Sequence, residues 1–172
     1  VKITVYGDGL SGNCYKVTLL LNVLGIEHEW KHVDVVAGET RSEKFTTLNS
    51  ARQIPVVELD DGTVLTQSNA ILWYFARDTE HLPDQTLAQT RVLEWMFFEQ
   101  YSHEPVIATA RFWLKYLNAE EEYREKLDEN RPKGYRALTV MEEHLAGHDW
   151  LVGTTPTIAD MSLYAYTHVA DE

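Results

Sequence analysis

The 172 residues include a single cysteine, Cys14, so no intramolecular disulfide can form and a reducing, cytoplasmic location is expected. Basic clusters are also missing. Fifteen Lys and Arg stand singly among 27 Asp and Glu, for a net charge of −12. Such a surface is repelled by phosphate backbones and anionic lipid, which removes nucleic acid and membranes from the expected partners. No apolar run is long enough to span a bilayer, because Thr18, Asn22 and Gly25 break the longest. The first nine residues read as a strand and a turn and lack the pattern of a secretory leader. Repeats and low-complexity tracts are absent as well. The remaining composition, 44% hydrophobic and 24% charged, is that of a folded protein. A chain of this length buries roughly 70% of its extended surface without staples.

The pattern along the chain changes once. Residues 2–6 alternate as a strand, and Val17, Leu20, Leu21 and Leu24 recur at helical spacing before a capping Gly25. A second strand is expected over 27–35. A short helix near 41–48 follows, capped by Thr40 with Glu43, then a hairpin over 55–65 turning at Asp60-Asp61-Gly62, and a helix over 67–77. These elements form an α/β unit over 1–77. After a polar linker, 78–86, no strand signal recurs. Residues 87–117 read as one helix with Leu93, Phe97, Tyr101 and Ile107 on its apolar stripe and a kink at Pro105. Glu120-Glu121-Glu122 opens another, which Pro132 breaks or restarts. Thr157 and Asp160 form a capping box for the last. The expected architecture is an α/β domain followed by an all-α domain, 87–172.

Four groups of residues invite chemistry. Gly7-x-Gly9-x-x-Gly12, with Asp34 after the next strand, has the form of a dinucleotide fingerprint. A nucleotide domain needs further parallel βαβ units, and this chain continues into a hairpin and helices, so no nucleotide is expected. Ser11-Gly12-Asn13-Cys14 sits where a thioredoxin-like fold keeps two cysteines. With serine first, dithiol exchange is unavailable. Ser11 then either caps the helix or joins free N–H groups in holding an anion, while Cys14 reads as a small core residue. Ile54-Pro55 suits a cis bond that leaves Ile54 to pair with an extended ligand, and Gln67-Ser68 opens a helix start that suits a carboxylate. The three loops share one end of a small sheet and offer donors to an extended, peptide-like anion. His144 and His148 lack the Glu of a zinc motif and read as surface or capping residues, so no metal is expected. The aromatics Trp95, Phe97, Phe98, Phe112, Trp113 and Tyr116 read as core and dimer contacts.

The chain resembles the glutathione transferase superfamily in Tyr6-Gly7, Ser11-x-Asn13-x-x-Lys16-Val17, Asn49 through Val56, Gln67 through Ile71, and Pro156 through Asp160. The resemblance implies a thioredoxin-like first domain with a mixed four-stranded sheet, a helical second domain, a homodimer, and glutathione as co-substrate. It implies Ser11 as the catalytic hydroxyl of a serine-using theta, zeta, delta-like or nu-like class, with Asn13 near the sulfur. Arg52, Ile54, Pro55, Gln67 and Ser68 would bind glutathione. Leu10, Arg111 and Phe112 would face a small hydrophobic electrophile in a detoxifying conjugation. It also implies helices beyond Glu172, so the helical domain is expected to be incomplete at its C-terminus, or else the chain is an unusually short member. Two other readings stay open: glutathione-dependent disulfide or peroxide reduction, for which Asn13 leaves room, and a non-catalytic interaction module.

Overall fold

The computed structural model describes residues 3–172; Lys2 of the first expected strand lies outside them. The chain divides into two compact units, Val1–Arg77 and Asp78–Glu172.

The first unit is built on β1 (Ile3–Gly7), β2 (His28–His32), β3 (Val56–Glu58) and β4 (Val64–Thr66). They form one mixed sheet in the order β2-β1-β3-β4, with β1 parallel to β2 and antiparallel to β3, and β3 antiparallel to β4. A twelve-residue helix, α1 (Gly12–Val23), crosses from β1 to β2, and α2 (Glu43–Leu48) and α3 (Ser68–Ala76) complete the unit. Ile3, Thr4 and Val5 of β1 are all buried, as are Val17, Leu20 and Leu21 on one face of α1. Gly25, at φ +66°, supplies the left-handed residue that ends α1. Gly7 is a close approach: a Cβ there would lie 2.7 Å from Cys14 Sγ and 2.8 Å from Trp30 Cη2. One expectation is corrected. Thr40 belongs to a 3₁₀ turn, Glu39–Arg41, and α2 is capped by Ser42, whose hydroxyl accepts from the Phe45 N–H at 3.2 Å. Ser42, two residues nearer, has the extended backbone a cap requires.

The second unit is all helix: α4 (Thr86–Phe98), α5 (Glu104–Arg111), α6 (Glu120–Leu145) and α7 (Ile158–Thr167). The expected continuous helix over 87–117 is instead divided by two π-helical turns, Glu99–His103 and Phe112–Tyr116. Pro105 therefore sits in the first turn of α5, where its missing N–H costs nothing. The buried stripe also differs: it runs through Val92, Met96, Glu99, His103 and Ile107, whereas Phe97 is 69% and Tyr101 88% exposed. Among the six aromatics expected as core and contacts, none is fully buried. Pro132 does not break α6, which runs unbroken for 26 residues. The capping box of α7 is present: Asp160 accepts from the Thr157 N–H at 2.7 Å and from the Leu151 N–H at 2.8 Å, and Thr157 accepts from the Ala159 N–H.

Candidate active site

The sheet register assembles the site. Tyr6 pairs with Val56, and Val56 with Thr66, so the residues that follow β1, precede β3 and follow β4 lie in one row at one end of the sheet. That row carries the turn 8–13, the Ile54-Pro55 bond and Gln67-Ser68, three segments expected to converge.

The turn after β1 is fixed by Asp8, itself buried. Its carboxylate accepts from the Leu10 N–H at 2.9 Å and its carbonyl from the Ser11 N–H at 3.0 Å. Ser11 is the N-cap of α1, accepting from the Cys14 N–H at 3.3 Å. That bond uses an oxygen lone pair and not the hydroxyl proton, so capping does not compete with donation to an anion. Cys14 lies behind, 1% exposed; burial pushes its thiol up to about 11, against the opposing pull of the Ser11 hydroxyl and the Asp8 backbone. At neutral pH it stays a thiol.

The loop before β3 is organised by buried Asn49, whose amide donates to the Gln53 carbonyl at 2.8 Å while its oxygen accepts from the Ala51 N–H at 3.0 Å. This holds Arg52 exposed at φ +58°. The Ile54-Pro55 bond is cis, as expected, and Ile54 lies beyond the last β1–β3 pair. Gln67 caps α3 at φ +68°, a left-handed backbone that a non-glycine residue adopts at a cost and that recurs at functional sites. Ser68, the first residue of α3, is buried.

Sequence reasoning missed Lys16. It is 0% exposed; its ammonium donates to Asn13 Oδ1 at 2.8 Å and to Ser68 Oγ at 3.4 Å, and Ser68 Oγ donates to Asn13 Oδ1 at 3.0 Å. Lysine has no acceptor, so the atom facing it fixes the Asn13 amide with oxygen inward and its NH₂ on the opposite side. Lys16 stood in the family motif without a role, and the signal for one was a lysine on the apolar face of α1, between Cys14 and Val17.

Tyr6 is not a candidate for thiolate stabilisation. Its hydroxyl donates to Glu58 at 2.7 Å, and burial with the Glu58 carboxylate pushes it up to about 12. Of the residues expected at the electrophile, Leu10 is in the first unit and 46% exposed. Arg111 and Phe112 belong to the second, where Arg111 pairs with Glu172 at 2.7 Å on the wall of a cavity of about 330 Å³. His144 Nε2 lies 3.1 Å from the Leu151 carbonyl and His148 Nδ1 2.8 Å from the His144 carbonyl, bonds of a helix end. Among the described residues no three His, Cys, Asp or Glu are grouped to hold a metal, and no helix is long and apolar enough to cross a membrane.

A thioredoxin-like sheet with a serine cap where a cysteine pair would sit, followed by a helical unit, defines a glutathione-transferase class of protein. Comparison with known proteins agrees on both halves. Residues 10–78 match the glutathione S-transferase N-terminal domain and residues 103–172 the glutathione S-transferase C-terminal domain. A glutathione S-transferase structure from Pseudomonas fluorescens is 51% identical, with a TM-score of 0.96 over 98% of this chain and 84% of that one. A glutathione transferase homologue from Lodderomyces elongisporus, solved with two GSH per subunit, is 27% identical, with a TM-score of 0.87 over 99% and 84% of the two chains. Glutathione S-transferase 2 of Anopheles gambiae is 28% identical over 160 residues, 90% of this chain and 74% of that protein. The chain belongs to the glutathione S-transferase family, and the expectations of a transferase enzyme and of this fold hold.

Proposed function

We propose that the first unit binds glutathione along the row of three loops and that its thiolate attacks a small hydrophobic electrophile. The observation that carries this reading is Ser11, a hydroxyl at the N-terminus of α1 whose oxygen caps the helix by accepting, between Leu10 and Asn13. A free thiol has a pKa of about 8.5, and lowering it to near 6.5 requires about 2.7 kcal/mol. A helix terminus contributes roughly 0.3–1 kcal/mol, up to about 2 when partly buried, and a hydrogen bond to a charged sulfur about 1.5–3 kcal/mol. The two together suffice; neither does so comfortably alone. Ile54 would pair with the cysteinyl unit beside Pro55, Gln67 and Ser68 would hold the γ-glutamyl end, and exposed Arg52 the glycine carboxylate. Exposed Leu10 supports an apolar co-substrate. Phe97 and Tyr101, apolar and outward on α4 and the following turn, support a homodimer.

A second reading, disulfide reduction, is favoured by Asn13. Its NH₂ is turned away from Lys16, and the Lodderomyces relative holds two GSH per subunit. In that case two glutathione thiols each give up a proton and together two electrons, and the substrate disulfide becomes two thiols. The deciding experiment is a pH titration of thiolate ultraviolet absorbance for bound glutathione, followed by assays with an aryl halide and with a small disulfide. A bound pKa well below the free value and turnover of the halide is the expected result. An unshifted pKa overturns activation and leaves an interaction module, and turnover of the disulfide alone selects reduction.

A further inference from the structure

We propose that Lys16 is a positioning residue that sets the acidity of the bound thiol through Asn13 and the hold on the γ-glutamyl end through Ser68. The inference rests on the glutathione reading above and assigns a role to a residue that need not touch the ligand.

Lys16 lies on the face of α1 that also buries Val17, Leu20 and Leu21. An ammonium taken out of water is costly unless it is well hydrogen-bonded, and packing α1 against α3 calls only for an apolar side chain of similar volume. The contacts it makes show what the charge adds. Those to Asn13 and Ser68 join the start of α1 to the start of α3, the two helix termini that face the proposed ligand.

Three consequences follow from donor counting. The ammonium can only donate, so Asn13 Oδ1 at 2.8 Å is held inward and the amide cannot flip. Ser68 has one hydroxyl proton, and it goes to Asn13 Oδ1 at 3.0 Å while its oxygen accepts from Lys16 at 3.4 Å. A carboxylate arriving at the N-terminus of α3 draws that proton away from Asn13. Lys16 then keeps Asn13 in place, so one end of the ligand is bound without disordering the group at the other.

The experiment is the ultraviolet titration and glutathione affinity of the wild type, Lys16→Met, Lys16→Gln, Asn13→Ala and the double variant Lys16→Met with Asn13→Ala, each checked for fold by circular dichroism. Lys16→Met is expected to raise the bound thiol pKa by about one unit and to weaken glutathione binding about tenfold. Lys16→Gln, which restores a neutral donor, recovers part of both. In the Asn13→Ala background, Lys16→Met changes the thiol pKa by less than half as much, because residues acting through one another are not additive. A folded Lys16→Met protein with the wild-type thiol pKa overturns the proposal, and so do additive effects. If Lys16→Met does not fold, an unchanged thiol pKa in Lys16→Gln overturns it equally. A wild type that binds no glutathione removes the functional reading and this inference together; a wild type that activates the thiol with Lys16 variants unchanged removes this inference alone.

Discussion

The two units bury polar groups for different purposes. In the first, Asp8, Lys16, Asn49 and Ser68 are buried at one end of the sheet, each holding a turn or a helix start that faces the proposed ligand. In the second, Thr157 secures the start of α7 with Asp160, and His103 Nε2 meets Thr167 Oγ1 at 2.9 Å near its end. Charge divides in the same way. The first unit has seven Lys and Arg against nine Asp and Glu, the second eight against eighteen, so most of the acidity belongs to the second unit and not to the one proposed to take an anionic tripeptide. Buried polarity in the first unit shapes a site; in the second it joins helices.

The largest expected effect tests the second half of that comparison. Asp160 accepts the Leu151 and Thr157 N–H groups and the Thr157 hydroxyl. Asp160→Ala leaves these donors without their acceptor at the start of a buried helix and is expected to cost about 4 kcal/mol, read as a shift in the urea midpoint. The bound thiol pKa should not move in the protein that remains folded. If it does, the division of labour between the units fails.

Next is Cys14, buried beside the site. Its thiol is raised from 9.0 to about 11 in the folded chain, so the unfolded chain loses its proton first as pH rises. Stability is therefore fully present below about 9, declines between 9 and 11, and the loss totals about 3 kcal/mol. Urea unfolding across that range should show the decline, and Cys14→Ala should remove its slope while adding a constant cavity cost. A slope that survives in Cys14→Ala assigns the alkaline loss elsewhere.

Ser11→Ala follows at about 2 kcal/mol. Turnover is expected to fall some thirtyfold, with the bound thiol pKa raised by more than one unit and glutathione affinity little changed. An unchanged turnover would pass the role to Asn13 or to the backbone N–H groups of α1.

What the sequence made legible follows the range of each signal. The three loops of the proposed site could be picked out because each carries a local marker: a serine before a helical run, an Ile-Pro before a strand, a Gln-Ser before another helix. The capping box at Thr157 was readable for the same reason. The burial of Lys16 was not, because a lysine in a helix is usually solvated and only tertiary packing takes it out of water. The expected stripe was right at Ile107 but missed its other members, which include Glu99 and His103, two polar residues that apolar pattern-matching passes over. Phe97 and Tyr101, alongside, imitate a core stripe. Pro132 was given more weight than one proline has in a helix of 26 residues.

The smallest prediction sharpens the comparison by holding charge constant. Arg91 pairs with Glu94 at 2.7 Å, three residues apart on α4, with side chains 60% and 54% exposed. Water already solvates both groups, and fixing two long side chains offsets what the pair gains. Arg91→Ala is therefore expected to cost below about 0.5 kcal/mol, less still in high salt, with no change in the bound thiol pKa. Lys16 carries the same charge in the first unit, without exposed surface, and its removal is expected to move that pKa by about one unit. Titrating bound glutathione in Arg91→Ala and Lys16→Met side by side separates the two cases. If both variants shift the thiol alike, the protein's overall charge governs its acidity; if only Lys16→Met does, the buried contacts to Asn13 and Ser68 govern it.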